Sequence, residues 1–454
     1  MTDNLEARLT AHLSNTRFED LPANVVDATK KCILDILGVM CGGSAADGIQ
    51  PLIEMLQGWS LKPDATVVHG TRLASIHATW VNGAMAREFD DSHDPTGDHI
   101  SVPIMPSALG AIELLGEVPG RELIVAYALG ADLNARLRMA SQQRSGENSF
   151  AANTYAPFSA GTVAAKLFGL TGMAMYNTLA WAYTQCAGGL QLQQSGQSAL
   201  HIHHGLAAST GLQAALLAKQ GFPGPDECLT GRFGFFAAYC GGSLDEAQVT
   251  DELGQRFEVA NISSKQFPGG RVTHGPVEAA VLLHQQDGVR AEDIEQVTVL
   301  YGPRGFRMTC EPESQRRIPT TPQHAKFSLY YVVASALARG HVGIEDFTPE
   351  AVADPLVRGV AGKINVDIDP AQRGMPPGIV TVTLKDGRQV RREVHAFKGT
   401  PERPCTWEEY AAKFRRCLSF AAKPIAPDNV EAAIDFVANL ESAGDVRRLV
   451  ELLT

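Results

Sequence analysis

The chain has 454 residues, more than one hydrophobic core usually supports, so we expect two domains. With 44% hydrophobic and 20% charged residues, the composition is that of a soluble globular protein. The formal net charge of −11 argues against a nucleic-acid-binding protein but not against a small anionic ligand. No uncharged apolar run approaches the roughly 20 residues that span a membrane, and the N-terminus has no basic, apolar signal pattern. The eight cysteines form no Cys-x-x-Cys pair, so we expect reduced thiols and a cytoplasmic protein without membrane contact.

Helical patterns dominate the first 262 residues. Apolar residues recur at helical spacing between Val25 and Met40, and an alanine-rich run predicts a helix from Ala74 to Asp91. Two later helices, around 159–165 and 207–218, consist mostly of small residues and carry little charge. Such helices bury both faces, either in the core of their own domain or in a subunit interface. We expect the interface, and therefore a homodimer.

The pattern changes near residue 260, where segments with alternating hydrophobicity begin. Strands are predicted at 294–301, 363–368, 379–384 and 390–394, and the turn sequence Lys385–Arg388 predicts a hairpin between the last two. The final helices return to the first domain. We therefore expect a mainly α fold in which a large all-helical domain, residues 1–262 and 405–454, carries an inserted smaller α+β lid domain, residues 263–404. A small ligand would bind in a cleft between the two domains.

Side chains that could take part in catalysis are concentrated in the segment 82–107. If its helix continued to Ser92, then Glu88, Asp91 and Ser92 would share one helix face, and His99 follows in a polar loop. Carboxylates beside imidazoles support proton abstraction and elimination. The alternative is a solvated acidic helix end, although carboxylates there oppose the helix dipole.

This segment resembles the motif of the MmgE/PrpD family, in which N-G precedes an acidic residue, F-D-D-S and a histidine that ends a polar loop. The resemblance covers nearly the whole chain. It continues through A-A-K-L-F-G-L at 164–170, H-x-G at 203–205, K-x-F-P at 265–268, A-K-F-S at 325–328 and K-F at 413–414. The family includes 2-methylcitrate dehydratase, cis-aconitate decarboxylase and iminodisuccinate epimerase, all of which act on small carboxylates.

The resemblance implies roles for particular residues. His99 would be the general acid or base, Lys265 would hold a substrate carboxylate or stabilise an enolate, and the catalytic carboxylates would be Glu88 and Asp91. Further substrate-binding candidates are Ser92, His201, His203, Arg271 and His274. The H-x-H-H run at 201–204 has no carboxylate at metal-ligand spacing. We expect these imidazoles to bind an anion at the N-terminus of a helix that begins near Gly205, or to form a structural cluster. No metal and no other cofactor is implied.

Three positions depart from the family pattern. Phe150 stands where decarboxylase and dehydratase relatives carry His, Leu200 where the family carries Lys, and Gly270 where cis-aconitate decarboxylases carry His. We therefore expect a lyase or isomerase that abstracts a proton next to a carboxylate of a small di- or tricarboxylate, with dehydration favoured. Two alternatives stay open: an epimerase of an aspartate-derived dicarboxylate, and a catalytically degenerate carboxylate-binding protein.

Overall fold

Helices are the main elements of the described residues up to 262. The computed structural model describes residues 4–68, 70–89, 99–141, 152–189, 191–194, 199–372 and 377–454. The elements up to residue 262 are α1 (Leu5–Asn15), α2 (Ala23–Gly42), α3 (Ile49–Gln57), β1 (Ala65–Thr66), β2 (Arg72–Leu73), α4 (Ser75–Arg87), α5 (Ser101–Leu115), α6 (Gly120–Ala140), α7 (Ala156–Leu167), α8 (Gly172–Thr184), α9 (Gln191–Gln194), α10 (Ala199–Lys219), α11 (Phe235–Tyr239) and α12 (Glu246–Thr250).

The rest of the chain combines helices with a four-stranded sheet. Its elements are α13 (His274–Gln285), β3 (Ile294–Tyr301), α14 (Pro303–Thr309), α15 (Glu313–Arg316), α16 (Pro322–Lys326), α17 (Leu329–Arg339), α18 (Pro349–Ala353), α19 (Pro355–Ala361), β4 (Ile364–Ile368), β5 (Gly378–Leu384), β6 (Gln389–Val394), α20 (Trp407–Leu418), α21 (Pro427–Ala438) and α22 (Arg447–Leu452). The strand order is β4-β3-β5-β6, with β3 and β4 parallel and the other neighbours antiparallel.

The chain divides into two compact units. The first comprises residues 1–88, 92–262 and 406–454, and the second comprises 89–91 and 263–405. The predicted mainly α fold is confirmed, and the four predicted strands are present within a residue of their expected bounds. Within the described ranges, no single helix has both the length and the apolar composition to cross a membrane. A sharply bent pair, Ala23–Ala45 with Ile49–Gln57, meets both conditions only when taken together.

The small-residue helices lie in the core of the first unit. Every residue from Ser159 to Ala165 in α7 is buried, as are most small residues of α10. Glycine brings the two backbones together, because a methyl group on Gly211 would lie 2.4 Å from Ala160 Cβ and 2.7 Å from the Gly161 nitrogen. The predicted use of these helices as a subunit interface is therefore wrong. They pack against each other and against neighbouring helices of the first unit, α4 and α8 for α10 and α5 and α6 for α7.

A buried ion pair links the N-terminal and C-terminal segments of the first unit, which are far apart in the sequence. Lys413 Nζ on α20 lies 2.8 Å from Asp35 Oδ1 on α2, and both side chains are almost fully buried. One turn along α2, a methyl group on Gly38 would lie 3.0 Å from the Phe414 ring, so glycine lets α20 pack close to α2. The C-terminal helices thus return to the N-terminal part, as the sequence predicts.

The second unit has its own core around the sheet. Residues of β5 alternate between buried and half-buried, which is the pattern of a strand with one face covered. Helix α13 packs against β5 and β6, and α17 packs against α13 and α19 within the same apolar core. Because these core residues all belong to the second unit, the unit that carries Lys265 has a hydrophobic core of its own.

We predict that Lys413→Met lowers the free energy of unfolding by about 3–5 kcal/mol, because the Asp35 carboxylate then stays buried without its ammonium partner. Chemical denaturation measures this change. Lys31→Met is the matched control, since Lys31 pairs with Asp27 at 2.8 Å on the same helix but at the surface, where such pairs contribute under about 1 kcal/mol. Equal losses in the two variants would contradict the assignment of Asp35–Lys413 as a buried stabilising pair.

Candidate functional site

The motif helix α4 ends earlier than the sequence suggests. Its last residue is Arg87, and Glu88 is the C-cap, so the predicted continuation to Asp91 is wrong. Asp91 and Ser92, predicted to share a helix face with Glu88, lie outside the described residues. The motif's Asn82 is structural: its Oδ1 accepts from the Val68 N–H at 2.9 Å, and its Nδ2 donates to the Thr66 carbonyl at 3.0 Å.

The histidines of the H-x-H-H run lie inside α10. The helix begins at Ala199, whereas the sequence suggested a start near Gly205. Gly205 is an interior residue, because a methyl group there would lie 2.1 Å from the Trp80 carbonyl oxygen of α4. The interpretation of these imidazoles as groups in front of a helix N-terminus is therefore wrong. They belong to the first turns of α10, beside the end of α4.

The closest contact between the two helices joins Glu88 and His201. His201 Nδ1 lies 2.9 Å from Glu88 Oε2, and the two side chains are 10% and 20% exposed. The other ring nitrogen of His201 faces the Asp47 carbonyl at 3.4 Å. A carboxylate–imidazole pair of this kind fixes the orientation of both groups, which general acid–base chemistry requires.

A second imidazole contact joins His99 and His204. Their ring centroids are 6.4 Å apart and the rings are nearly perpendicular, at 84°. Burial holds the pKa of His204 well below its ordinary value, and the nearby Arg87 charge lowers that pKa further. His204 is therefore neutral near pH 7, with Nδ1–H donating to the Leu200 carbonyl at 2.9 Å. Nε2 of His204 is then left as a hydrogen-bond acceptor.

His99 has a backbone conformation that is uncommon for a residue with a side chain. Its φ is +51°, in the left-handed region, and its side chain is half-buried. Strained residues of this kind persist where the surrounding structure fixes them, and they cluster at functional sites. We call Arg87, Glu88, His99, His201 and His204 the histidine cluster.

In the second unit, Lys265 lies in a tightly folded loop. The lysine is 2% exposed, and its Nζ donates to the Gly269 carbonyl at 3.0 Å. The loop is tied to the end of α16, because the Gly270 N–H donates to the Lys326 carbonyl at 3.0 Å. Gly269 has a φ of +105°, and a methyl group on it would lie 2.4 Å from that same carbonyl oxygen. The ammonium group is thus held in a rigid, buried position.

The same loop leads into the other predicted residues of this unit. Arg271 lies in a single 3-10 turn, and His274 begins α13. The His274 ring is fully buried, with the Phe267 and Phe397 rings each 5.5 Å from it, centroid to centroid. Lys265, Arg271 and His274 therefore form one short segment with two cations and an imidazole. We call residues 265–274 the lysine segment.

Family models match both parts of the chain. The MmgE/PrpD N-terminal domain matches residues 7–248, and the MmgE/PrpD C-terminal domain matches residues 267–441. The chain belongs to the MmgE/PrpD family. It is 25% identical to the cis-aconitate decarboxylase of Mus musculus over 95% of this chain and 90% of that protein. It is also 25% identical to the Homo sapiens cis-aconitate decarboxylase, over 95% and 91%. Identity to the 2-methylcitrate dehydratase of Cupriavidus necator is 24%, over 82% and 81%.

The residues that depart from the MmgE/PrpD pattern differ in how they are packed. Leu200, at the family's lysine position, is buried near the start of α10 and contributes its carbonyl to His204. Gly270 has an ordinary extended backbone, with φ −67° and ψ 121°, and a methyl group on it would make only a normal contact, 3.4 Å from the Phe327 ring. Phe150 lies outside the described residues. Nothing in the backbone around Gly270 therefore requires glycine.

Two buried cations were missed by the sequence analysis. Arg87 is buried beside Glu88 and acts on the pKa of His204, and Lys326 is buried next to the lysine segment. A signal existed for Arg87, since it is a charged residue inside an otherwise apolar helical run. His203 stands apart from the histidine cluster, with its Nε2 3.3 Å from the Ala187 carbonyl.

Among the described residues, one group of side chains has ligand atoms close enough together for a metal ion. It consists of His341, Glu345 and Asp346 in the second unit. The Asp346 carboxylate already accepts from Arg339, from Ser335 Oγ and from the Gly343 N–H. Its oxygens are therefore used in fixing the turn after α17, and the group is best explained as structural.

We predict that His204→Asn reduces the loss of stability on acidification. The folded-state pKa of His204 lies below its ordinary value of 6.5, so above pH 6.5 neither state binds the proton. As the pH falls below 6.5, the unfolded chain binds a proton that the folded chain does not, and the wild type loses up to about 1.4 kcal/mol per pH unit. Denaturation curves between pH 5 and pH 8 measure the difference between the two proteins. Parallel pH profiles would contradict a depressed pKa.

Proposed function

We propose that this protein is an enzyme that acts on a small di- or tricarboxylate by moving a proton next to a carboxylate, most favourably a lyase that eliminates water. The observation that carries the proposal is the histidine cluster, which combines an oriented carboxylate–imidazole pair with a buried neutral imidazole. Membership of the MmgE/PrpD family supports it, because the relatives are named for lyase reactions of cis-aconitate and 2-methylcitrate.

In the proposed reaction, His99 is the general acid or base. An imidazole removes the proton from the carbon next to a carboxylate, and the electron pair is held as an enolate. The hydroxyl on the neighbouring carbon then leaves with a proton as water, and a carbon–carbon double bond forms. Enolate charge requires cationic or hydrogen-bonding groups. We assign that role to Lys265, with Arg271 and His274 as further carboxylate-binding groups.

The Glu88–His201 pair would orient the base and the substrate. A carboxylate fixed by an imidazole at 2.9 Å cannot rotate freely, so it presents one oxygen in a constant direction. Asp91 and Ser92 follow Glu88 within a few residues, and we assign them catalytic and substrate-binding roles, respectively. The reaction as proposed uses no metal and no other cofactor.

A second candidate is a carboxylate-binding protein without turnover. The buried Leu200 favours it, because an apolar side chain at the family's lysine position removes one cation from the pocket. Epimerisation of an aspartate-derived dicarboxylate is the third route, since a proton returned to the opposite face would need the same base. Incubation with citrate, 2-methylcitrate, cis-aconitate and iminodisuccinate, followed by chromatography, tests all three. Binding without product formation would favour the second candidate.

The protein is further proposed to be a cytoplasmic homodimer. All eight cysteines are buried free thiols, as expected for a reducing compartment. Phe222 and Phe233 in the first unit are 53% and 74% exposed, and we propose that a partner subunit covers them. Light scattering at micromolar concentration is expected to give twice the 48.6 kDa mass of one chain. A mass near one chain would contradict the dimer.

We predict that His99→Ala lowers turnover at least ~10²-fold, the usual contribution of a general acid or base. Because His99 has a positive φ, His99→Asn is the better variant, since Asn tolerates this conformation and lacks the titratable ring. Both variants should lose activity while their unfolding curves stay close to that of the wild type. His395→Ala, at an exposed histidine of the second unit, is the control. Wild-type activity in His99→Asn would remove His99 from the mechanism.

We predict weak or absent decarboxylation of cis-aconitate. Phe150, Leu200 and Gly270 replace two imidazoles and an ammonium group, and each charge-assisted hydrogen bond to a carboxylate contributes roughly 1.5–3 kcal/mol. The itaconate formed from cis-aconitate can be quantified by chromatography. A rate comparable to the protein's rate on its best substrate would show that these three positions do not hold carboxylates.

A further inference from the structure

Arg316 in the second unit is a half-buried cation without an acidic partner. It is the last residue of α15, and its side chain contacts α16. Nε donates to the Glu311 carbonyl at 3.3 Å and Nη1 donates to the His324 carbonyl at 3.5 Å, so both hydrogen bonds are long. Within the described part of the chain, no carboxylate forms an ion pair with this guanidinium. A charge that is partly withdrawn from water normally has a counter-ion.

The adjacent Arg317 is an arginine whose donors are used within the fold. Its guanidinium contacts the Glu313 carboxylate at 2.7 Å, donates to the Ile364 carbonyl at 2.8 Å and lies 4.2 Å from the centre of the Tyr330 ring. Arg316, in contrast, keeps donors that no described residue accepts from. A guanidinium has five N–H donors, and the fork that they form matches the two oxygens of a carboxylate.

The electrostatic surroundings of Arg316 also favour an anion. Burial lowers the pKa of Arg316, because its charge is poorly solvated. Burial likewise lowers the pKa of His324, and the nearby Arg316 charge lowers that pKa further. A carboxylate bound to the guanidinium would reduce both effects, since it would neutralise the charge that acts on the imidazole.

Contacts within the second unit link Arg316 to the lysine segment. The carbonyl of Lys326, the last residue of α16, accepts from the Gly270 N–H at 3.0 Å. His324, whose carbonyl Arg316 contacts, lies two residues earlier in the same helix. Ser328, at the start of α17, donates from Oγ to the Arg316 carbonyl and fixes the backbone there. One short helix thus contacts both the lysine segment and Arg316.

We propose that Arg316 binds a carboxylate of the substrate, the one remote from the carbon that loses its proton. The inference rests on the proposed function, in which the lysine segment binds the enolate and the carboxylate next to it. It goes further by assigning the second carboxylate. Arg316 is then a specificity-determining residue, which selects acids with two carboxylates over acids with one, and it takes no part in the proton transfer.

Diacids and their monoamides test this assignment, because the monoamide keeps the shape of the diacid and lacks one negative charge. The probes are succinate, glutarate and adipate, each compared with its monoamide in thermal shift titrations of the full chain. At least one diacid is expected to bind the wild type about tenfold more tightly than its monoamide. Arg316→Gln is expected to abolish that preference and to leave the affinity for the monoamide unchanged. Arg316→Lys, which keeps the charge without the planar fork, should retain part of the preference.

The melting temperature of the ligand-free variants separates a binding role from a structural one. Arg316→Gln is expected to melt within about 2 °C of the wild type, because it loses only two long hydrogen bonds to carbonyls. Arg317→Gln is the matched control at the next position. It should melt lower, since it loses an ion pair and the contact with Tyr330, and it should keep the preference for the diacid. If Arg316→Gln melts as low as Arg317→Gln, Arg316 is structural and the assignment is wrong.

Chemical modification locates the bound acid. Phenylglyoxal reacts with accessible guanidinium groups, so the preferred diacid should slow the labelling of Arg316, measured by peptide mass spectrometry, more than its monoamide does. If the diacid binds without slowing this labelling, or if Arg316→Gln keeps the preference, the assignment is wrong and the proposed function stands. The same holds if each diacid and its monoamide bind the wild type equally.

The remaining outcomes separate the assignment from the proposed function. If none of the six acids binds but a di- or tricarboxylate turns over, the KM for that substrate decides. Arg316→Gln should then raise the KM about tenfold with a smaller change in kcat, and an unchanged KM overturns the assignment. If no acid binds and no substrate turns over, both the assignment and the proposed function are wrong.

Discussion

The contact between α4 and α10 is the constraint on which the histidine cluster depends. A methyl group on Gly83 would lie 2.7 Å from the Gly205 Cα, and one on Gly205 would lie 2.1 Å from the Trp80 carbonyl oxygen, so the two backbones touch. Side chains at the end of α4 consequently meet side chains at the start of α10. The Glu88–His201 contact and the influence of Arg87 on His204 both follow from this approach. A larger residue at either glycine would separate the helices and with them the cluster.

The same contact places two imidazoles of α10 in different surroundings. The pKa of His204 is lowered because the ring is buried and because Arg87 supplies positive charge nearby. His201 Nδ1 instead lies 2.9 Å from a carboxylate oxygen of Glu88. Different environments thus divide chemically identical side chains into different roles, which is the usual way in which active sites distribute acid and base functions.

Periodicity and turn chemistry were enough to predict the helical first unit and the four strands of the second, because these elements are long or regularly alternating. The errors share one cause. Glycine at position 205 suggested a helix boundary, and small residues in α7 and α10 suggested a subunit interface, but in both places the glycines serve helix packing. A sequence does not reveal which neighbour a small residue faces.

The departures from the family pattern carry most of the information about the ligand. Gly270 has room for a larger side chain, so the backbone does not demand glycine there, and Leu200 is as well buried as a core residue. The backbone around Gly270 therefore does not impose this departure. Each departure removes a cation or an imidazole that the family pattern would place there. Charge in a binding site must be balanced by opposite charge on its ligand. Under the proposed function, the loss of these groups favours a substrate with fewer carboxylates than cis-aconitate.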